Sequence, residues 1–180
     1  MRGFLKAIFT TFILLSAVGC APRGRYVVVE GLMLGTTYRV VANTTMSQGE
    51  IYAAAMEIDS IAKSSMSIFN ENSLISRIND NRANEIDIHL LRNIAVAARV
   101  NKMSGGAYDI TIKPLTDAYG FAAKGKIEHP NIDSLLTFVG FDKFRVDGFR
   151  VVKDDSRLQL DLNSLAKGYT VDMFADFLQS

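Results

Sequence analysis

Cysteine occurs once in this 180-residue chain, at Cys20, so no internal disulfide can form and the fold must rest on its core. Histidine occurs twice, at His89 and His129, far apart and without metal-ligand spacing, which removes a histidine-built zinc centre. Charge of one sign is missing too. With 20 basic residues against 19 acidic ones, and no basic cluster after the first few residues, nucleic acid is excluded as a partner. Internal repeats and low-complexity tracts are absent, as are a nucleophile elbow, a P-loop, a dinucleotide glycine fingerprint and a zinc signature. The apolar run Ala7 to Leu15 is well short of the ~20 residues that span a bilayer.

That run has another use. Arg2 and Lys6 precede it, and the small residues Ala17, Val18 and Gly19 follow it directly before Cys20, which is the layout of a bacterial lipoprotein signal with Ala17 in place of the usual leucine. The expectation is a signal peptide over residues 1–19, lipidation (palmitate) at Cys20, a tether over 20–25 and a domain from 26 to 180. Two or more acyl chains hold a protein on a membrane, whereas one is marginal. Ala21 follows the cysteine rather than an aspartate that would argue for the inner membrane, so the expected location is the outer membrane, facing the periplasm. Cleavage before Cys20 leaves enough chain for one domain with a core.

Within the domain, Tyr26 to Glu30 and Thr36 to Ala42 read as a hairpin around Gly31 to Gly35. Ser47 and Glu50 form a capping box, with Met46 and Ile51 as staple, for a helix burying Ile51, Ala54, Ala55, Ile58, Ile61 and Ala62. Phe69 stands in a Ser/Asn-rich loop, where it is either a lid on the local core or a ring-stacking platform. A short helical turn from Ser73 points Leu74, Ile75 and Ile78 inward. Asp87 to Met103 reads as a second amphipathic helix with Leu91, Ile94, Ala95 and Ala98 inside. It ends at Ser104, Gly105 and Gly106, after which Ala107, Tyr108 and Asp109 form a turn. Its N-H groups could bind a ligand, or Asp109 could cap its own turn. A short helix spans Asn131 to Val139. Phe144 to Val146 and Phe149 to Lys153 flank the hairpin pair Asp147-Gly148, and Leu158 to Leu162, alternating with polar residues, reads as the third strand of that meander.

The stretch Asn163 to Gly168 then reads as a polar turn into a helix carrying Val171, Phe174, Ala175 and Leu178 inward. With Lys167 beside unpaired helix N-H groups, this corner suits a phosphate or a metal held by a turn carbonyl, or else is an ordinary turn with a solvated lysine. The fold class is α+β, a mixed or antiparallel sheet with packed helices.

Four segments, LGTTYRV (Leu34 to Val40), MSIFNENSLISRIN (Met66 to Asn79), SGGAYDITIKPL (Ser104 to Leu115) and LDLNSLAKGYTVD (Leu160 to Asp172), resemble the ApbE-type FAD:protein FMN transferases in order and spacing. The resemblance implies a T-fold-like domain that splits FAD with Mg²⁺ and moves FMN through its phosphate to a Thr or Ser hydroxyl of an exported flavoprotein subunit of the redox-pump type, releasing AMP. It further implies that the loop with Met33 and Leu34 approaches the flavin, although the family often has methionine where Leu34 stands. Phe69 would stack on FAD, Ala107, Tyr108, Asp109 and Lys167 would contact it, and the Ser164 carbonyl would ligate Mg²⁺. Members of the family run well beyond the AKGY helix, so this chain reads as the N-terminal portion of such a domain, with the catalytic histidine region and the remaining metal ligands expected downstream of Ser180. Alternatives are a periplasmic FAD pyrophosphatase making FMN and AMP, and a non-catalytic, truncated FAD-binding lipoprotein.

Overall fold

The computed structural model describes residues 24–121 and 126–180. The expected signal, Cys20 and most of the tether lie outside these residues. The last tether residue, Arg25, already belongs to strand β1 (Arg25–Met33), which pairs antiparallel with β2 (Thr36–Thr44). Both strands run further than their β-rich cores predict, and only Leu34 and Gly35 are left for the turn. Gly31 is therefore a strand residue, opposite Tyr38. A Cβ at Gly31 would lie 2.7 Å from the Tyr38 ring, so the ring lies across the bare glycine backbone. The Tyr38 hydroxyl is the one buried side-chain polar atom among the described residues without a hydrogen-bond partner.

Helix α1 (Gln48–Met66) starts as expected: the Ser47 hydroxyl accepts the Glu50 N-H, and the Glu50 carboxylate accepts the Ser47 N-H at 2.7 Å. Such a cap satisfies two orphan donors at once. Its first half packs Ile51, Ala55 and Ile58 against Val27, Val29 and Met33 of β1, and its second half joins the larger core through Ala62 and Met66. Next come α2 (Leu74–Asn79) and α3 (Ile88–Met103), capped by the side chains of Ser73 and Asp87. The buried face of α3 is Leu90, Asn93, Ile94 and Ala97; of the expected set Ile94 is buried and Leu91 half-buried against the core, but Ala95 and Ala98 are exposed. Small alanines fit either side, so the Met66 sulfur that receives the Asn93 amide settles the rotation.

A 3₁₀ turn (Ile110–Ile112), α4 (Lys113–Ala118) and α5 (Ile132–Leu136) lead to the antiparallel hairpin of β3 (Phe144–Asp147) and β4 (Arg150–Lys153). The expected third strand is not Leu158 to Leu162. The free side of β4 is taken by residues 84–86, through Ile86 N-H to the Phe149 carbonyl and Val151 N-H to the Asn84 carbonyl. Leu158, Leu160 and Leu162 do point into the core, almost wholly buried, so the alternation was meaningful. Its backbone partner is a side chain: Asn79 both receives the Leu160 N-H (2.7 Å) and donates to the Leu160 carbonyl (2.8 Å). The result is an α+β fold of two small antiparallel sheets with packed helices.

Helix α6 (Asn163–Gln179) begins directly after Leu162, so the expected polar turn is the helix's own first two turns. Asp161, one residue ahead of the N-cap Leu162, accepts the Asn163 N-H at 2.8 Å, while the cap position itself offers no side-chain hydrogen bond. Phe174 is buried as expected, Ala175 and Leu178 are half-buried, and the inward face extends back through Thr170 and Ala166, while Val171 is 66% exposed. Ala166 sits in the core shared with Ala62 and Met66, and Phe174 in the one shared with Ile51 and Ile58, so α6 runs antiparallel to α1. The C-terminal end of α1, the N-terminal end of α6 and the β1–β2 turn thereby meet at one place.

Candidate functional site

A cleft of about 450 Å³ opens there, lined by Leu34 and Gly35 of the hairpin turn, Ala62, Lys63, Met66 and Ser67 at the end of α1, Phe69, and Asn163, Ala166 and Lys167 of α6. Three residues singled out in separate segments, Leu34, Phe69 and Lys167, thus share one cavity. Two lysines and no carboxylate face it, which suits an anionic ligand.

Phe69 is 61% exposed, so it is no lid over the core. Its loop is nonetheless fixed. The Ser67 carbonyl accepts from the Ser73 hydroxyl at 2.7 Å, the Ser67 hydroxyl accepts the Phe69 N-H, and the Asn70 amide donates to the Lys63 carbonyl. A large ring held in water by a hydrogen-bonded loop is what a planar aromatic ligand stacks on. Phe69 also borders a second hollow of about 350 Å³ beside the Lys113–Asp117 ion pair.

The roof of the cleft is a strained turn. Leu34 has φ +50° and Gly35 φ +73°, and the first is costly for a residue with a Cβ. Asp59, 8% exposed on the core face of α1, holds it: its Oδ1 receives the Leu34 N-H at 2.9 Å, and its Oδ2 pairs with Lys63 Nζ at 2.5 Å. Sequence reasoning missed both residues. The signal was there, since Asp59 falls on the stripe with Ile58 and Ala62, and a carboxylate on a buried stripe needs partners.

The remaining expected residues divide. Tyr108 and Ser164 meet next to Asn163, with Tyr108 Oη 2.8 Å from Ser164 Oγ. Burial raises the Tyr108 pKa, the Ser164 hydrogen bond pulls it back, and the Asp161 and Asp109 carboxylates add to the rise, so the phenol stays protonated at neutral pH. Asp109 caps its own turn, its Oδ1 receiving both the N-H and the hydroxyl of Thr111. Ala107 is exposed beside it. Met33 does not face the cleft: its side chain is buried between β1 and α1, because the turn sends successive side chains to opposite sides. Lys167 is exposed on the second turn of α6, and no ion pair engages it among the described residues.

For a metal the fit is incomplete. Mg²⁺ takes near-octahedral oxygen shells. Among the described residues no three His, Cys, Asp or Glu side chains converge as a metal site. Near Ser164, Asp161 already receives the Asn163 N-H and the Thr116 hydroxyl. These residues do not make a Mg²⁺ site by themselves.

Two other hollows among the described residues are larger than this cleft, one of about 700 Å³ over Glu30 to Leu32 and Thr37 to Arg39. The other, of about 520 Å³, lies beside β4, but its Lys153 donates to the carbonyls of Ile78, Leu158 and Ser156, and burial lowers its pKa. That lysine ties loops together and is not offered to a ligand.

The chain is 29% identical to the FAD:protein FMN transferase of Vibrio cholerae over 100% of its own length and 56% of that protein, and 30% identical to the Haemophilus influenzae FAD:protein FMN transferase over 99% and 56%. Its fold superposes on the apo crystal structure of the Pseudomonas stutzeri flavinyl transferase ApbE with a TM-score of 0.79 at 25% identity, over 89% of this chain and 56% of that one. The chain therefore spans about half the length of the relatives it matches. The ApbE family model matches residues 34–180, which run from the strained turn to the end of α6 and include every wall of the cleft, and the chain belongs to the ApbE family.

Proposed function

We propose that this chain is the FAD-holding part of a flavin transferase, which moves FMN from FAD onto a Thr or Ser hydroxyl of an exported flavoprotein subunit. The observation that carries the reading is the single cleft that unites the exposed Phe69 ring with Lys167 and the Leu34 turn. The ring suits an isoalloxazine, and the lysines suit the pyrophosphate. In the reaction the acceptor hydroxyl oxygen attacks the phosphorus on the riboflavin side, the P–O–P bond breaks, AMP leaves with the bridging oxygen, and the hydroxyl proton passes to a base. Chemistry of this kind depends on positioning and charge neutralisation more than on covalent participation. Mg²⁺ belongs to the reading through the family, where it would neutralise phosphate charge; no step is assigned to it here. Attachment through a lipidated Cys20, with the domain in the periplasm at the outer membrane, is part of the same proposal and rests on the sequence before residue 24.

The test mixes a full-length protein that contains this chain with FAD and an acceptor subunit, with and without Mg²⁺, and reads the acceptor's mass. An increase by one FMN is expected. An acceptor left unmodified, while the Vibrio cholerae transferase modifies it in parallel, overturns the proposal, and free FMN formed without acceptor would instead identify a pyrophosphatase.

A further inference from the structure

Lys63 was singled out by no sequence motif, yet it lines the same cleft as Lys167, from a different helix. An ammonium carries three N-H donors, and Asp59 takes one of them. The others remain for a ligand, and the Lys63 side chain is 52% exposed, so water or a ligand can reach it. Asp59 itself is held on the core face of α1 and cannot follow a ligand into the cleft. It fixes the lysine in place while its second oxygen holds the Leu34 turn. One carboxylate therefore sets both the roof of the cleft and one of its two cations.

We propose that Lys63 is a second phosphate-binding group of this cleft, alongside Lys167, and that Asp59 is the positioning residue that presents it. The inference rests on the flavin reading above and adds to it which end of the ligand each residue reads: Phe69 the ring, and the two lysines the phosphates. An ammonium discriminates by charge, so its loss is felt by phosphorylated ligands and not by a neutral one.

Riboflavin, FMN and FAD differ in that respect, and the fluorescence change of each on binding can be titrated against the whole chain, which separates the ring from the phosphates. For Lys63→Gln we expect FAD and FMN affinity to fall about tenfold while riboflavin affinity is unchanged. Lys63→Arg, which keeps the charge, should retain most of the preference for FAD over riboflavin. Asp59→Asn keeps an acceptor for the Leu34 N-H but frees the lysine, so FAD affinity should fall by a smaller factor at an unchanged riboflavin affinity. Equal FAD affinity in Lys63→Gln and the unsubstituted chain, or an equal loss for riboflavin and FAD, overturns the proposal while leaving the flavin reading intact. If Lys63→Gln melts well below the unsubstituted chain, the Lys63→Arg ratio decides in its place. Failure of the unsubstituted chain to bind any of the three flavins overturns the flavin reading, and this inference falls with it.

Discussion

Two hairpins reverse this chain within two residues each, and they do so by different means. In β3–β4 the loop is Gly148 and Phe149, and the left-handed position, φ +58°, belongs to a glycine with open space around it. That turn is written in its own residues. In β1–β2 the left-handed position ahead of Gly35 belongs to Leu34, and what keeps it there is a carboxylate 25 residues further on. The β1–β2 turn lines the cleft and the β3–β4 turn does not. A turn that breaks a local rule and is held by a distant buried group has been placed for something other than chain reversal, which is how strain marks a working site.

The contrast can be broken most severely at Asp59. Asp59→Ala removes a charge-assisted hydrogen bond to the Leu34 N-H, and we expect a loss of about 1.5 to 3 kcal/mol in denaturant unfolding. The half-exposed Lys63 adds little to that figure. FAD binding should be weakened as well; an unfolding midpoint that does not move would mean that the β1–β2 turn is as self-sufficient as the β3–β4 turn. Gly148→Ala is the matching change in the other hairpin. A Cβ there meets no neighbour, so only the backbone conformation is penalised, by about 1 to 2 kcal/mol, and FAD affinity should not change. A flavin effect from Gly148→Ala would dissolve the distinction between the hairpins. The smallest expected effect sharpens it. Leu34→Gly relieves the left-handed strain but gives up the contacts Leu34 makes with both cores, so stability should stay within about 1 kcal/mol while FAD affinity falls with the lost wall. The same thermal and fluorescence titrations read both quantities.

What was legible in the sequence was what neighbours in the sequence decide. Ser47 and Glu50 cap the helix their spacing announced, and Ser73 and Asp87, where the next two helical segments were read to begin, prove to be their N-caps, since a cap needs only the next three residues. Alternation at Leu158, Leu160 and Leu162 correctly gave the buried side, but not the partner, because the position that pairing would have filled is held by residues 84–86 and the Leu160 backbone is met by an asparagine 81 residues away. The start of α6 was read six residues too late, because Asn163, Ser164 and Lys167 look like a turn, whereas the helix begins directly at Asn163, whose N-H Asp161 accepts. In the site, Phe69, Tyr108 and Lys167 were reached through resemblance to a family. Asp59 and Lys63 were not, because what gives them a role is the turn they touch across 25 residues of chain.

The ring of Tyr38 lying over Gly31 has a consequence for how this fold varies. A methyl group at 31 would sit inside van der Waals distance of the ring, whereas a smaller residue at 38 would uncover the glycine backbone and take away the ring packed against Phe174. Each residue therefore sets the tolerance of the other, and substitutions at the two positions are epistatic, with effects that do not add. Drift through this hairpin has to pass through both sites together, which ties the β1–β2 ladder to α6 as a single inherited unit.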